Sequence, residues 1–359
     1  MSDRLRIDRW PVHRRSVVVP LIARRAATIK SQVKLATERS SNPDGRLMVV
    51  SHDLSSMAPA GGVVSTMQQA IDRWDDVAPA LEALYLRLNV GELKGAIRFE
   101  PESIAAPLPR AWQWLDGSAF PNHGKLMQRA FNLPPIETHL PLMYQGMSHQ
   151  FLGATDDVAF PSEADDIDFE GEFGVITDAV PMSSTPRAAL RRIRLIVQIN
   201  DWSLRAIAPV EMKTGFGWIQ AKPACSVAPV AVTPDEFGDA WREGRLDATL
   251  SVRRNGELFG AVPANEMQFG FHDLIAHAAR TRAICAGTII GSGTVSTRRF
   301  REVGSCCISE RRAIEMIDFS EPHTRFLHFN ERVSMETRVE GHSVSPFGVL
   351  DQRIVEAAT

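Results

Sequence analysis

From residue 33 the chain alternates apolar and polar positions through VKLATERSSNPDGRLMVVSHDL, which reads as a strand, a turn at NPDG (42–45) and a second strand. The period then lengthens: Met67, Ile71, Trp74, Leu81, Leu84 and Leu86 follow helical spacing and predict a helix over 65–90. The Pro-rich run AAPLPRAWQW (105–114) reads as a connection into a second domain. Beyond it, strand signals cover 166–179, 193–200, 226–233, a hairpin around Asn255-Gly256, 287–296, 305–317 and 331–339. Helical stretches are fewer, near 124–131, 185–192 and 265–280. Many strands without regular alternation with helices predict an α+β fold, mixed and mainly antiparallel, rather than a doubly wound sheet. The expected division is a small N-terminal α/β module over 33–105 and a larger domain over 106–355.

Length and composition add limits. A chain of 359 residues, 44% hydrophobic and 23% charged, can bury a large core, and a formal charge of -3 makes no field that would recruit nucleic acid or an anionic membrane. No stretch reaches the roughly 18–20 apolar residues that span a bilayer. The run SVVVPLIA (16–23) follows arginines as a signal peptide's would, but Pro20 interrupts it and Arg24-Arg25 follow directly. Four cysteines, with no CxxC pair, suit a reducing cytoplasm rather than a disulfide scaffold, and Cys306-Cys307 read as small core residues. Residues 1–32 carry eight Lys/Arg against two Asp and read as a disordered arm or a start-site overcall.

The chemistry begins at DFEGEFGVI (168–176). On a strand, Glu170 and Glu172 share a face while Phe169, Phe173 and Val175 fill the other, and Asp168 leads in with a supporting role. Like charges so close in a half-buried place are costly unless protons or a cation compensate, and hard divalent ions prefer carboxylate oxygen. A solvated amphipathic strand shows the same alternation, so both readings stand. The apolar strand of RLIVQINDWSLR (194–205) ends in Asn200-Asp201, where Asp201 is either a helix cap or a site residue. Together the two strands supply three oxygen ligands. Lys222 precedes Pro223, which favours extended chain; beside three carboxylates its ammonium would neutralise charge and stabilise a developing enolate. His123, His139, His272, His277, His328 and His342 form no HxH or HxxxH pair for zinc, and Trp112, Trp114, Trp202 and Trp218 read as core or pocket wall.

DFEGEFGVI, INDWSLR, KPACSVAPVAVTPDEF and AGTIIGSGT resemble, in order, the motifs of the fumarylacetoacetate hydrolase family, and ERVSMETRVEGHSVSPFGVLDQ is similar to its closing strands. The resemblance covers about residues 110–355, while 33–105 resembles the small N-terminal domain of one bacterial branch. It implies a β-roll domain that forms homodimers. It also implies Mg²⁺, Mn²⁺ or Ca²⁺ on Glu170, Glu172 and Asp201, with Arg205 and Lys222 as substrate and oxyanion contacts. Ser226 and Thr294 line up with hydroxyl residues near metal and substrate. In PLMYQGMSHQFLG (141–153), Tyr144 matches a substrate contact and His149 the general base, with Glu310 as that histidine's partner. The family's further aspartate ligand would fall near Leu142, which cannot coordinate, so a three-carboxylate site is implied.

The activity this implies is divalent-metal-dependent hydrolysis of a carbon-carbon bond in a β-diketo acid or acylpyruvate-like compound, through an enolate at the metal. Two alternatives remain: decarboxylation, isomerisation or dehydration of a 2-keto or 2-keto-3-deoxy sugar acid at the same site, and a non-catalytic binding protein that kept the fold.

Overall fold

The Lys34–Glu38 and Arg46–Val50 strands pair antiparallel around the NPDG turn, so the opening alternation forms its hairpin. They belong to a computed structural model that describes residues 32–132, 134 and 138–358. The arm expected over 1–32 lies, apart from Gln32, outside the described residues.

This hairpin is part of a twelve-stranded sheet. From one edge the order is Ile97–Arg98, Ser56–Pro59, Arg46–Val50, Lys34–Glu38, Ala231–Val232, Ile193–Asn200, Gly171–Thr177, Thr288–Gly291, Gln113–Gly117 and Met143–Gly146. Neighbours along it are antiparallel except Thr288–Gly291 beside Gln113–Gly117. The N-terminal strands therefore join the rest through one continuous sheet, with Lys34 opposite Val232. A second sheet of five strands runs Glu257–Pro263, Thr249–Arg254, Arg332–Arg338, Val349–Glu356 and Val158–Phe160.

The central strands are apolar along their length because both faces are covered. Phe173, Val175 and Ile196 pack toward Leu250, Val252, Met335 and Leu350 of the second sheet. Leu195, Val197 and Ile199 face the other way, in a cluster with Leu35, Val49, Trp74 and Leu81. Gln198 ties the sheets, donating to the Met335 carbonyl at 3.1 Å and accepting from Thr337 at 2.6 Å. Period-two alternation of Phe169, Phe173 and Val175 against Glu170 and Glu172 thus sends the acids away from the inter-sheet core.

Two expectations change. The helix over 65–90 is two helices, Met67–Asp72 and Trp74–Asn89, meeting at Arg73. The strand expected over 305–317 is a helix, Ile308–Phe319. Cysteine and isoleucine suggested a strand, yet the buried positions Ser309, Glu310, Ala313 and Ile314 mark one helical face. The Cys307 thiol accepts the Glu310 N–H at 3.2 Å, filling the cap position where serine or threonine is the usual signal.

Lys34 is fully buried, and its ammonium donates to the His52 carbonyl at 2.6 Å. Burial pulls it down to about 8 from 10.5, against the attraction of Glu236 and Asp53. The unfolded chain therefore holds this proton more tightly, so the lysine's contribution to stability rises with pH between about 8 and 10.5, by up to about 3 kcal/mol. Denaturant unfolding of wild type and Lys34→Met at pH 7 and pH 10 checks this: the wild-type protein should gain on the variant as pH rises.

Candidate active site and metal centre

Three strand ends converge at one point of the large sheet. Glu172 lies on the Gly171–Thr177 strand, Asp201 directly follows Ile193–Asn200, and Asp116 ends Gln113–Gly117. One carboxylate oxygen from each lies within 4.8 Å of the others, and all three residues are buried. Both Glu172 oxygens are buried without a hydrogen-bond partner. Burial, with repulsion from Asp116, Asp201 and Glu170, pushes Glu172 well above the usual carboxylate range. Burial and Asp201 push Asp116 up to about 8. A site that must otherwise carry protons to exist is one a cation fits. Three oxygen donors with no sulfur or imidazole among them suit a hard divalent ion.

Backbone glycines admit Asp116. The Gly293 N–H donates to its Oδ1 at 3.0 Å, and a Cβ at Gly291 would stand 2.3 Å from the same oxygen. The GSGT segment is therefore built for close approach to a carboxylate.

Beside the cluster lies a cradle of cations around Glu170. Its Oε1 accepts from Ser203 at 2.8 Å, Arg205 Nη2 at 2.5 Å and Lys222 Nζ at 3.0 Å, and its Oε2 accepts from Thr294. Burial alone would raise Glu170, but Lys222 and Arg205 outweigh it and hold the carboxyl well below its ordinary range. The grouping of acid oxygens adds Asp116 to the expected Glu172 and Asp201, while Glu170, also expected as a ligand, is held by Arg205 and Lys222. It also supplies the fourth acid that the reading near Leu142 left out, while Leu142 itself is exposed.

Lys222 bridges the two parts, reaching Asp201 Oδ2 at 2.6 Å as well as Glu170. Burial would lower it, yet Asp201 and Glu170 keep it charged. Tyr144 donates its hydroxyl to the same Asp201 oxygen at 2.7 Å. Asp168 is buried and holds Arg205 Nε at 2.8 Å while accepting the N–H groups of Ile308 and Ser309, a supporting role that fixes the guanidinium. Ser226, expected near the metal, instead accepts the Trp202 indole N–H at 2.8 Å. The neighbouring Cys225 faces the cluster, its thiol 3.0 Å from Asp201 Oδ1, because successive strand residues point to opposite sides.

His149, expected as the general base with Glu310 as its partner, is exposed just after the Met143–Gly146 edge strand, and the histidine that contacts Glu310 is another one. His123, on the Pro121–Phe131 helix, has Nδ1 3.0 Å from Glu310 Oε2. Glu310 is fully buried, and His123 lies near enough to Glu170 for its charge to act there. In the tautomer that carries its proton on Nδ1, His123 donates to Glu310 and presents the Nε2 lone pair. Asn122 steadies this corner, donating to Ser296 and to the Thr297 carbonyl, each at 2.9 Å.

Asp116 escaped the sequence reading because it follows directly on the proline-rich connection (105–114), where no strand was expected, and His123 was weighed only as a zinc ligand. The signal was present: an apolar strand ending in aspartate, the same pattern that singled out Asp201.

Among the described residues no helix is long and apolar enough to cross a membrane. Residues 113–355 match the model of the fumarylacetoacetate (FAA) hydrolase C-terminal domain, and 33–110 that of fumarylacetoacetase N-terminal domain 2. Among curated proteins, the chain is 25% identical to the mitochondrial oxaloacetate tautomerase Fahd2a of Rattus norvegicus over 43% of this chain and 48% of the relative. It is 29% identical to the 2,4-didehydro-3-deoxy-L-rhamnonate hydrolase of Sphingomonas sp. (strain SKA58) over 45% of this chain and 54% of the relative. The match thus spans about half the length of these relatives. Among solved structures, maleylpyruvate hydrolase from Sphingobium sp. SYK-6, in complex with manganese(II) and pyruvate, superposes with a TM-score of 0.60 at 16% identity, covering 90% of this chain and 100% of that one. The fumarylacetoacetate hydrolase of Exiguobacterium antarcticum gives 0.61 at 18% identity, covering 91% and 100%. Sequence model, fold and ordered motifs agree, and the chain belongs to the fumarylacetoacetate hydrolase family.

Proposed function

We propose that this protein hydrolyses a carbon-carbon bond in an acylpyruvate-like β-diketo acid. The observation that carries the reading is the Glu310–His123 pair, close enough to Glu170 for its charge to act there, since an imidazole backed by a buried carboxylate can serve as the base that activates water. Hydrolases and tautomerases of keto acids among the similar proteins support the substrate class.

The ligands would be Asp116, Glu172 and Asp201, and Mg²⁺ or Mn²⁺ bound there would supply Lewis-acid polarisation of the substrate's keto oxygens. His123 takes a proton from water at Nε2, and Glu310 balances the imidazolium that results. The water oxygen adds to the distal carbonyl. When the carbon-carbon bond breaks, its electron pair passes to the pyruvate-type fragment as an enolate, and the acyl fragment leaves as a carboxylic acid. Lys222 is held charged at the place where that negative charge develops, so no reorganisation is needed as the bond breaks. Arg205, fixed by Asp168, and Thr294 orient the substrate carboxylate. Protonation of the enolate carbon then completes pyruvate.

A panel of acylpyruvates and 2-keto-3-deoxy acids, incubated with Mn²⁺ and followed by NMR, tests this. Pyruvate plus an equimolar carboxylic acid is the expected outcome. The tautomerase relatives favour a second reading, keto-enol interconversion at the same residues. Rapid oxaloacetate tautomerisation without carbon-carbon cleavage of any panel member would establish that reading in place of the first.

A further inference from the structure

The second sheet carries a cavity of about 420 Å³, formed around the Thr249–Arg254 and Glu257–Pro263 hairpin and the 324–331 segment. Arg254, Arg311 and Arg325 all line it. Glu331, buried at its wall, is fully engaged. Its Oε1 accepts Arg254 Nε at 3.0 Å and Asn255 at 2.7 Å. Its Oε2 accepts Arg254 Nη2 at 2.8 Å, Arg325 Nη1 at 2.7 Å and the His328 N–H at 2.8 Å. This one carboxylate fixes two guanidiniums and has no capacity left for the third.

Arg311 is that third. Among the described residues no carboxylate lies within ion-pair distance of it. Glu315, one helical turn on, is turned to the N–H groups of His323 and Thr324 and to the Thr324 hydroxyl. Instead, Arg311 Nη2 donates to the Phe259 carbonyl at 2.6 Å, and the guanidinium carbon lies 4.6 Å from the centre of the Phe259 ring. Stacking and one hydrogen bond hold the fork still while its remaining N–H groups stay unassigned, the preorganised state that suits a planar or tetrahedral oxyanion. Arg325 is half-exposed and keeps Nε and Nη2 for a second contact.

We propose that this cavity is a second ligand site, distinct from the carboxylate centre, which takes a small oxyanion, carboxylate or phosphate, on Arg311 with Arg325 as the other side of the clamp. Arg311 directly follows Glu310 on the Ile308–Phe319 helix. The site thus shares its helix with the partner of His123, though the two side chains point about 100° apart.

The test is calorimetric titration of the full chain, with Mg²⁺ bound, using inorganic phosphate and separately succinate. The proposal expects wild type to bind one equivalent of at least one probe with a dissociation constant below about 10 mM, weakened about tenfold or more in Arg311→Met. Arg311→Lys keeps the charge but loses the fork and should fall between. Binding of phosphate alone would identify a phosphate compound as the natural class, and binding of succinate alone a carboxylate. Affinity for both probes that is unchanged in Arg311→Met, or no binding by wild type, overturns the proposal. If Arg311→Met does not fold, Arg311→Lys decides: wild-type affinity there overturns it and a severalfold loss supports it.

Discussion

Glu172→Gln is expected to abolish turnover, lowering kcat/KM by at least about 10³-fold, while making the metal-free protein more stable at neutral pH. The two effects share one cause. Glu172 is buried beside Asp116, Asp201 and Glu170, with neither oxygen hydrogen-bonded, so its charge is costly in the absence of a cation. Its folded-state pKa is raised, so whatever stability it contributes is fully present below the ordinary glutamate range and is lost as pH climbs toward the folded value. Glutamine has nothing to lose over that range. Thermal unfolding of the two metal-free proteins should therefore coincide near pH 4 and diverge by pH 8, with the variant melting higher. Equal melting at pH 8 would show that the acids are not in conflict, and the functional argument from strain would go with it.

Removing the base should have the second-largest effect. His123→Ala is expected to lower kcat by about 10²–10⁴-fold, with KM changed little, whereas His149→Ala should match wild type. Glu310→Gln should fall between, because the histidine remains but the charge balancing its imidazolium is gone. Steady-state kinetics on any hydrolysed keto acid separate these cases. A His123→Ala enzyme that still exchanges the substrate's α-protons with deuterated solvent would show that only the water step had been lost.

What could be read from the sequence, and what could not, follows from the range of the signals. Glu170 and Glu172 stood out because period-two acids contradict a buried strand, and the fold places them on one side as that period requires. Asp201, Arg205 and Lys222 were legible as motif residues, and the structure brings them within hydrogen-bond reach of one another's partners. Asp116 reaches the cluster through a parallel pairing with Thr288–Gly291, a contact across more than 170 residues that no local pattern encodes. The choice between His123 and His149 had the same difficulty, since Glu310 contacts a residue 187 positions away. Ser226 and Cys225 differ by one strand position, and one position exchanges the face that meets the site. The Ile308–Phe319 helix was hidden by a cysteine in the capping role.

Calorimetric titration of Mn²⁺ into wild type and Asp116→Asn at pH 7, in two buffers of different ionisation heat, tests the metal centre. Burial and repulsion push Asp116 up to about 8 and Glu172 well above the usual carboxylate range, so binding must expel protons and must weaken as pH falls. Wild type should take up one ion per chain with proton release visible as a buffer-dependent heat, and Asp116→Asn should lose at least about 100-fold in affinity. Absence of Mn²⁺ binding by wild type, or equal affinity and equal proton release in the two proteins, would rule out a metal held by Asp116.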